Sequence, residues 1–146
     1  MRSVLLSLAV LAPTACAPDS ATVDAEIRNL VRAYVASTDI GASLEMLDEA
    51  ASSITGEGTI LRGRDRIKDY ANRHAAAIRD QRVALGGIEV RRLGHAHALV
   101  TAPFSATASA LPQMVLTEGA VTVLVTKRDS GWKIVHSHYS YPTIRR

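Results

Sequence analysis

"GWKIVHSHYSYP", residues 131–142, holds the only Trp of the chain, two of its five His and two of its four Tyr, in a sequence that is only 4% aromatic. "KRDSG" (127–131) leads into it, and an Asp-Ser-Gly step before alternating residues is a hairpin turn opening a strand. A period of two puts Trp132, Ile134, His136, His138 and Ser140 on one face. Lys133, Val135, Ser137, Tyr139 and Tyr141 then fall on the other. The period leaves open which face looks inward.

Working back from this strand, the chain is β-rich as far as Gln81. Stretches 83–93, 96–108, 114–127 and 132–141 are rich in Val, Ile, Leu, Thr and Tyr, and "LGHA", "ALPQ" and "KRDSG" separate them as turns. Before Gln81 the period is helical. Between Thr22 and Ala36, Val23, Ile27, Leu30, Val31, Tyr34 and Val35 recur at spacings of three and four, with Asp24 and Glu26 in the first turn. The spacing predicts a short second helix over Ala42 to Ala50 after the "TDIG" turn, then a glycine-interrupted hairpin or bent strand in "SSITGEGTILRG" (52–63). A third helix is expected from an Asp65 N-cap, with Ile67, Tyr70, Ala71, His74 and Ile78 as its buried stripe. Helices followed by an antiparallel meander make an α+β domain with one sheet face covered by helices. Long strands carrying three helices will curl into a half-open cone.

The N-terminus, "MRSVLLSLAVLAPTACAPDS", has one Arg, an apolar run from Val4 to Leu11, and then small residues up to the sole Cys. The run is far shorter than the roughly 20 apolar residues of a bilayer span and fits a signal peptide. "PTAC" resembles a bacterial lipobox, with Thr14, Ala15 and Cys16 matching and Pro13 where Leu is usual. Residues 1–16 are therefore expected to be a lipoprotein-type signal with Cys16 lipidated, 17–21 a tether, and 22–146 one domain. The protein is expected to be exported to the cell envelope; an ordinary secreted or periplasmic protein is the alternative. A single Cys makes no internal disulfide, so packing must hold the domain. Removing Arg2 with the leader lowers the formal net charge from +3 to +2. No basic cluster is dense enough to indicate nucleic acid.

On "LVRAYVASTDIG" (30–41), "GRDRIKDYANRH" (63–74) and "DSGWKIVHSHYSYP" (129–142) the chain resembles the nuclear transport factor 2-like superfamily over about residues 22–142. That superfamily includes ketosteroid isomerase and the polyketide cyclase-like, SnoaL-like proteins. The resemblance implies a cystatin-like cone, N-terminal helices packed on a curved antiparallel sheet, a ligand held inside, and a homodimer through the outer sheet face. It further implies that the place of Tyr139 faces the pocket. Val135, Ser137 and Tyr139 would then line it, and His136 and His138 would face a dimer partner.

The isomerase's roles carry over poorly. Tyr34 matches its oxyanion-donating Tyr. Its base falls at about Gly56, with Glu57 the only nearby carboxylate and in the wrong strand phase, and its protonated Asp falls at Thr122. Proton abstraction beside a carbonyl needs a tuned base as well as donors, so whether the protein is an enzyme is left open. "HAH" (His95, His97) and "HSH" (His136, His138) could each chelate, but a strand lies between the pairs, and no metal or cofactor is expected. Arg62 and Arg64 could hold an anion but read more simply as surface residues. The preferred reading is a domain binding a small hydrophobic or aromatic ligand, lined by Tyr34, Tyr70, Phe104, Val135, Ser137 and Tyr139. The alternatives are an isomerase, cyclase or dehydratase using Glu57, His74 or His138 with Tyr34, and a dimeric adaptor whose cone Met46, Phe104 and Met114 fill.

Overall fold

Helix α1 (Ser20–Ala36) forms where the apolar spacing predicts it, and Ile27, Val31 and Val35 are its buried stripe. It begins two residues earlier than Thr22 because the Asp19 carboxylate accepts from the Thr22 backbone N–H at 2.7 Å. Asp24 and Glu26 consequently lie beyond the first turn and act through side chains instead, pairing with Arg92 at 3.8 Å and Lys127 at 3.7 Å. The computed structural model describes residues 19–77, 79–110 and 113–141. The leader, Cys16, Ile78 and residues 111–112 of the "ALPQ" turn lie outside the described residues, as does the Met114 side chain.

Helix α2 (Ile40–Glu45), capped by Asp39, is shorter than the expected 42–50 helix. The chain leaves it at Met46, whose carbonyl accepts from the Ile134 N–H at 2.9 Å, and continues as strand β1 (Leu47–Ile54). "LDEA" carries little strand preference of its own; parallel pairing with the last strand imposes the conformation. A turn leads to β2 (Ile60–Arg62), and α3 (Arg64–Ala77) follows with Asp65 inside its first turn rather than at the cap. Among the described residues of the expected α3 stripe, only Ile67 is fully buried. Tyr70, Ala71 and His74 are half-buried because they face a cavity.

The expected strand 83–93 is two strands, β3 (Arg79–Leu85) and β4 (Glu89–Arg92), separated at Gly86-Gly87 and both paired with β5 (His97–Ala110). Strands β5 and β6 (Gln113–Arg128) keep one unbroken register from His97↔Thr126 to Ala110↔Gln113, and β7 (Gly131–Ser140) returns along β6. The resulting sheet, in the order β2-β1-β7-β6-β5-β3, is antiparallel except between β1 and β7. Val100, Ala102, Val121, Val123, Val125 and Ile134 pack beneath α1 as the core. Full burial of a side chain such as Ile27 or Ile134, each 0% exposed, is worth about 1.5–3 kcal/mol.

The opening strand does not alternate as a count of two predicts. Leu124 lies opposite His136 but Val125 opposite Ile134, so Val135 is an extra, unpaired residue, a β-bulge. The bulge shifts the phase by one. Trp132 and Ile134 therefore share the helix-covered side with Ser137 and Tyr139, while His136 and His138 face the other way. This corrects the expectation that Trp132 is exposed with the two histidines. Trp132 is 8% exposed, with the Arg92 guanidinium and the Lys127 ammonium 5.4 and 5.5 Å from its ring centroid.

Candidate functional site

Between α1, α2 and α3 on one side and the curl of the sheet on the other lies a cavity of about 640 Å³, within the range of small-molecule sites. The bulge decides what reaches its depth. Tyr139 lines it from β7 and Tyr34 from the last turns of α1. Burial pushes both phenols above the ordinary range, Tyr139 strongly, and the Tyr34 hydroxyl beside Tyr139 adds to the rise. Behind them Ser137, 0% exposed, donates to the Ser53 hydroxyl at 2.8 Å and lies 3.4 Å from the Tyr34 hydroxyl. Two un-ionised phenols at the bottom of an apolar cavity can donate hydrogen bonds to a carbonyl or hydroxyl of a ligand.

Glu57 occupies the turn between β1 and β2. The Thr55 carbonyl accepts from the Gly58 N–H at 2.9 Å, and Gly58 takes a φ of 83° that a side chain would resist. This tight turn, rather than a strand phase, brings the Glu57 side chain to the cone. Its carboxylate accepts from the Tyr70 hydroxyl at 2.9 Å and the Tyr141 hydroxyl at 3.0 Å. Partial burial acts to raise its pKa, but hydrogen bonds from Thr55, Tyr70, its own backbone and Tyr141 outweigh that and hold it below the usual range. The Tyr141 phenol, by burial first and Glu57 second, is pushed up to about 12. The Tyr141 ring lies over Gly56, where a Cβ would overlap it. His74 stacks on Tyr70 with centroids 5.8 Å apart. Phe104 meets Tyr139 and Tyr141 edge-on at 6.1 and 6.4 Å.

Of the residues singled out in the sequence, Tyr34, Glu57, Tyr70, His74, Phe104 and Tyr139 line this one cavity. Ser137 stands behind the lining and Val135 lies off it, at the bulge. His138 is exposed on the opposite sheet face, paired across β6 with Thr122, so neither faces the cavity. Tyr141 and Ser53 also belong to the site. Tyr141 shares the phase of Tyr139 and was legible by that signal; Ser53 falls in the stretch 52–63 read as a hairpin or bent strand, and no signal there distinguishes its face. Met46 packs half-buried against the core. Arg62 lines a separate groove with Arg66 and Arg73, and the Arg64 guanidinium donates to the Leu44 carbonyl. Among the described residues no group of three or more His, Cys, Asp or Glu converges as a metal site would.

Among solved structures, one similar protein comes from Novosphingobium aromaticivorans and is assigned by name, provisionally, to the aromatic ring hydroxylases. It has a TM-score of 0.77 at 20% identity, covering 86% of this chain and 93% of that one. An uncharacterised Caulobacter vibrioides protein with a cystatin-like fold gives 0.73 at 22%, covering 84% and 92%. A Streptomyces avermitilis protein of the NTF2-like family, provisionally named a dehydratase, gives 0.76 at 17%, covering 87% and 100%. At these identities the likeness establishes the fold alone. No curated protein matches the sequence significantly. A SnoaL-like domain is matched over residues 23–144, nearly the whole of the folded chain, and the protein therefore belongs to the SnoaL-like domain family of the NTF2-like superfamily.

Proposed function

We propose that this is the ligand-holding domain of an exported, membrane-tethered protein, and that its cone takes one small, largely apolar or aromatic molecule. The observation that carries the reading is the convergence of aromatic side chains. The chain has six Phe, Trp and Tyr residues, and five of them, all but Trp132, line the cavity. Aromatic walls with a few fixed hydroxyls are the usual lining of small-molecule sites. Export and tethering are supported by the leader and Cys16. A homodimer is supported by the uncovered sheet face, which presents Leu99 opposite Leu124 together with Ile54 and Ile60, the last 55% exposed.

The test is a thermal-shift screen of ring-containing compounds against the wild type, Tyr139→Phe and Tyr139→Arg. Tyr139→Phe keeps the ring and should weaken binding by about 0.5–1.5 kcal/mol, one neutral hydrogen bond. Tyr139→Arg should abolish binding of a neutral ligand. Compounds that shift all three proteins alike would remove the ligand from the cone.

One observation favours an acid–base enzyme as a second reading: Glu57 and His74 share the cavity with the two un-ionised phenols. Against it, Glu57 is held low and both its oxygens already accept, which makes it a better anchor than a base. Turnover of a ring-bearing carbonyl or hydroxyl compound, lost in Glu57→Gln, would establish the enzyme instead.

A further inference from the structure

We infer that the ligand of the cone carries a positively charged amine, seated near Glu57, on an aromatic or otherwise apolar body. This rests on the ligand-binding reading above and adds to it the sign of the ligand's charge. The chain as a whole has more basic than acidic residues, 17 Lys and Arg against 14 Asp and Glu. Yet among the described residues no Lys or Arg lines the cavity, and its two charged side chains are the carboxylates Glu57 and Asp80. Arg73, whose charge is felt at Tyr70, lines the separate groove beside β2. An anion entering the cone would meet two like charges, and a cation two opposite ones.

The aromatic lining points the same way. Phe104 meets Tyr139 and Tyr141 at interplanar angles of 77° and 87°. Aromatic faces carry partial negative charge that attracts a cationic group, and these rings line the same cavity as the two carboxylates. Glu57 joins this cluster through Tyr141, whose hydroxyl donates to its carboxylate at 3.0 Å. Tyr141 and Tyr70 take one acceptor position on each of its oxygens, and a carboxylate has about four such positions. Thr55 and its own backbone also hydrogen-bond to Glu57, and together these donors keep the carboxyl ionised, so that what it offers an ammonium is a fixed negative charge.

The experiment is titration calorimetry of the purified full-length protein with four probes of one shape: naphthylmethylammonium, its trimethylated analogue, naphthylmethanol and naphthoate. Both cations should bind about tenfold more tightly than the alcohol, with naphthoate weakest. Glu57→Gln should weaken the cations about fivefold and the alcohol by much less, and added salt should weaken the cations alone. Cations that bind equally well to Glu57→Gln overturn the assigned seat. An alcohol or naphthoate as tight as the cations overturns the charge assignment; if that binding is lost in Tyr139→Arg, the cone still holds ligands. Failure of all four probes to bind overturns both readings.

Discussion

Replacing Ser137 by Ala tests the geometry on which the site depends. Ser137 has no exposed area, and its hydroxyl donates at 2.8 Å to that of Ser53, which is itself 5% exposed. Truncation removes one neutral hydrogen bond and leaves a buried hydroxyl unpaired, a cost of about 1–3 kcal/mol. Ser53→Ala should cost less, because Ser137 still lies 3.4 Å from the Tyr34 hydroxyl. The double variant should fall short of the sum of the two by about 1 kcal/mol, since removing both partners leaves nothing unpaired. Urea unfolding with an unchanged slope reads each change from its midpoint. Without the bulge at Val135 the histidines would share the helix-covered side with Ile134 and Ser137 would lie on the uncovered face, where a surface substitution stays within about 0.5 kcal/mol. A small effect of Ser137→Ala, or additivity in the double variant, would refute the placement of the strand.

Gly56→Ala should displace the Tyr141 ring and break its bond to Glu57, costing about 1 kcal/mol. Gly119→Ala, whose Cβ would meet the Ser140 backbone carbonyl, should cost more, about 1–3 kcal/mol, and unfolding midpoints will rank the two. All four phenols have raised folded pKa values, Tyr141 to about 12, against about 10 unfolded. Their contribution to stability is therefore complete below pH about 10 and is lost as pH rises toward the folded values. Tyrosinate absorbance should stay low until the chain unfolds, and titration near pH 10 with the fold intact would contradict this. If Cys16 bears lipid, protein made in a bacterial host should partition into detergent and begin at residue 16. Cys16→Ser should then lose the lipid, and a lipid-free N-terminus beyond residue 16 would remove the tether. Leu124→Asp should give monomers by light scattering, because a carboxylate buried at a dimer interface lacks a partner; a monomeric wild type would refute the pairing.

What the sequence disclosed was local. The α1 stripe followed from spacing alone because Ile27, Val31 and Val35 face one core, and the strands β5 to β7 followed from turn residues that need no distant partner. Residues 47–50 read as helix because the pairing that makes them strand lies more than eighty positions away, at Ile134. The bulge was invisible for a different reason: Val135 is a good strand former, and nothing in its identity distinguishes an extra residue from a paired one. Tyr34, Tyr70 and Phe104 were legible as lining because large aromatics in a domain this sparing of them must face something, whereas the inward face of Tyr139 was what the family resemblance implied. The position of Glu57 was not, since it depends on a turn closed by Gly58 and on two phenols from distant segments.

The segregation of aromatic side chains gives the molecule two optical reporters set apart in space. Trp132, between Arg92 and Lys127 under the N-terminal turns of α1, is separated from Tyr139 by seven residues of strand, roughly 20 Å. Tryptophan emission, excited selectively, will follow the closed end and hence the integrity of the fold. Tyrosine absorption will follow the cone and hence its occupancy. Melting and filling can thus be recorded on one unlabelled sample, and a compound that perturbs the tyrosine signal while leaving Trp132 unmoved has entered the cone without loosening the domain.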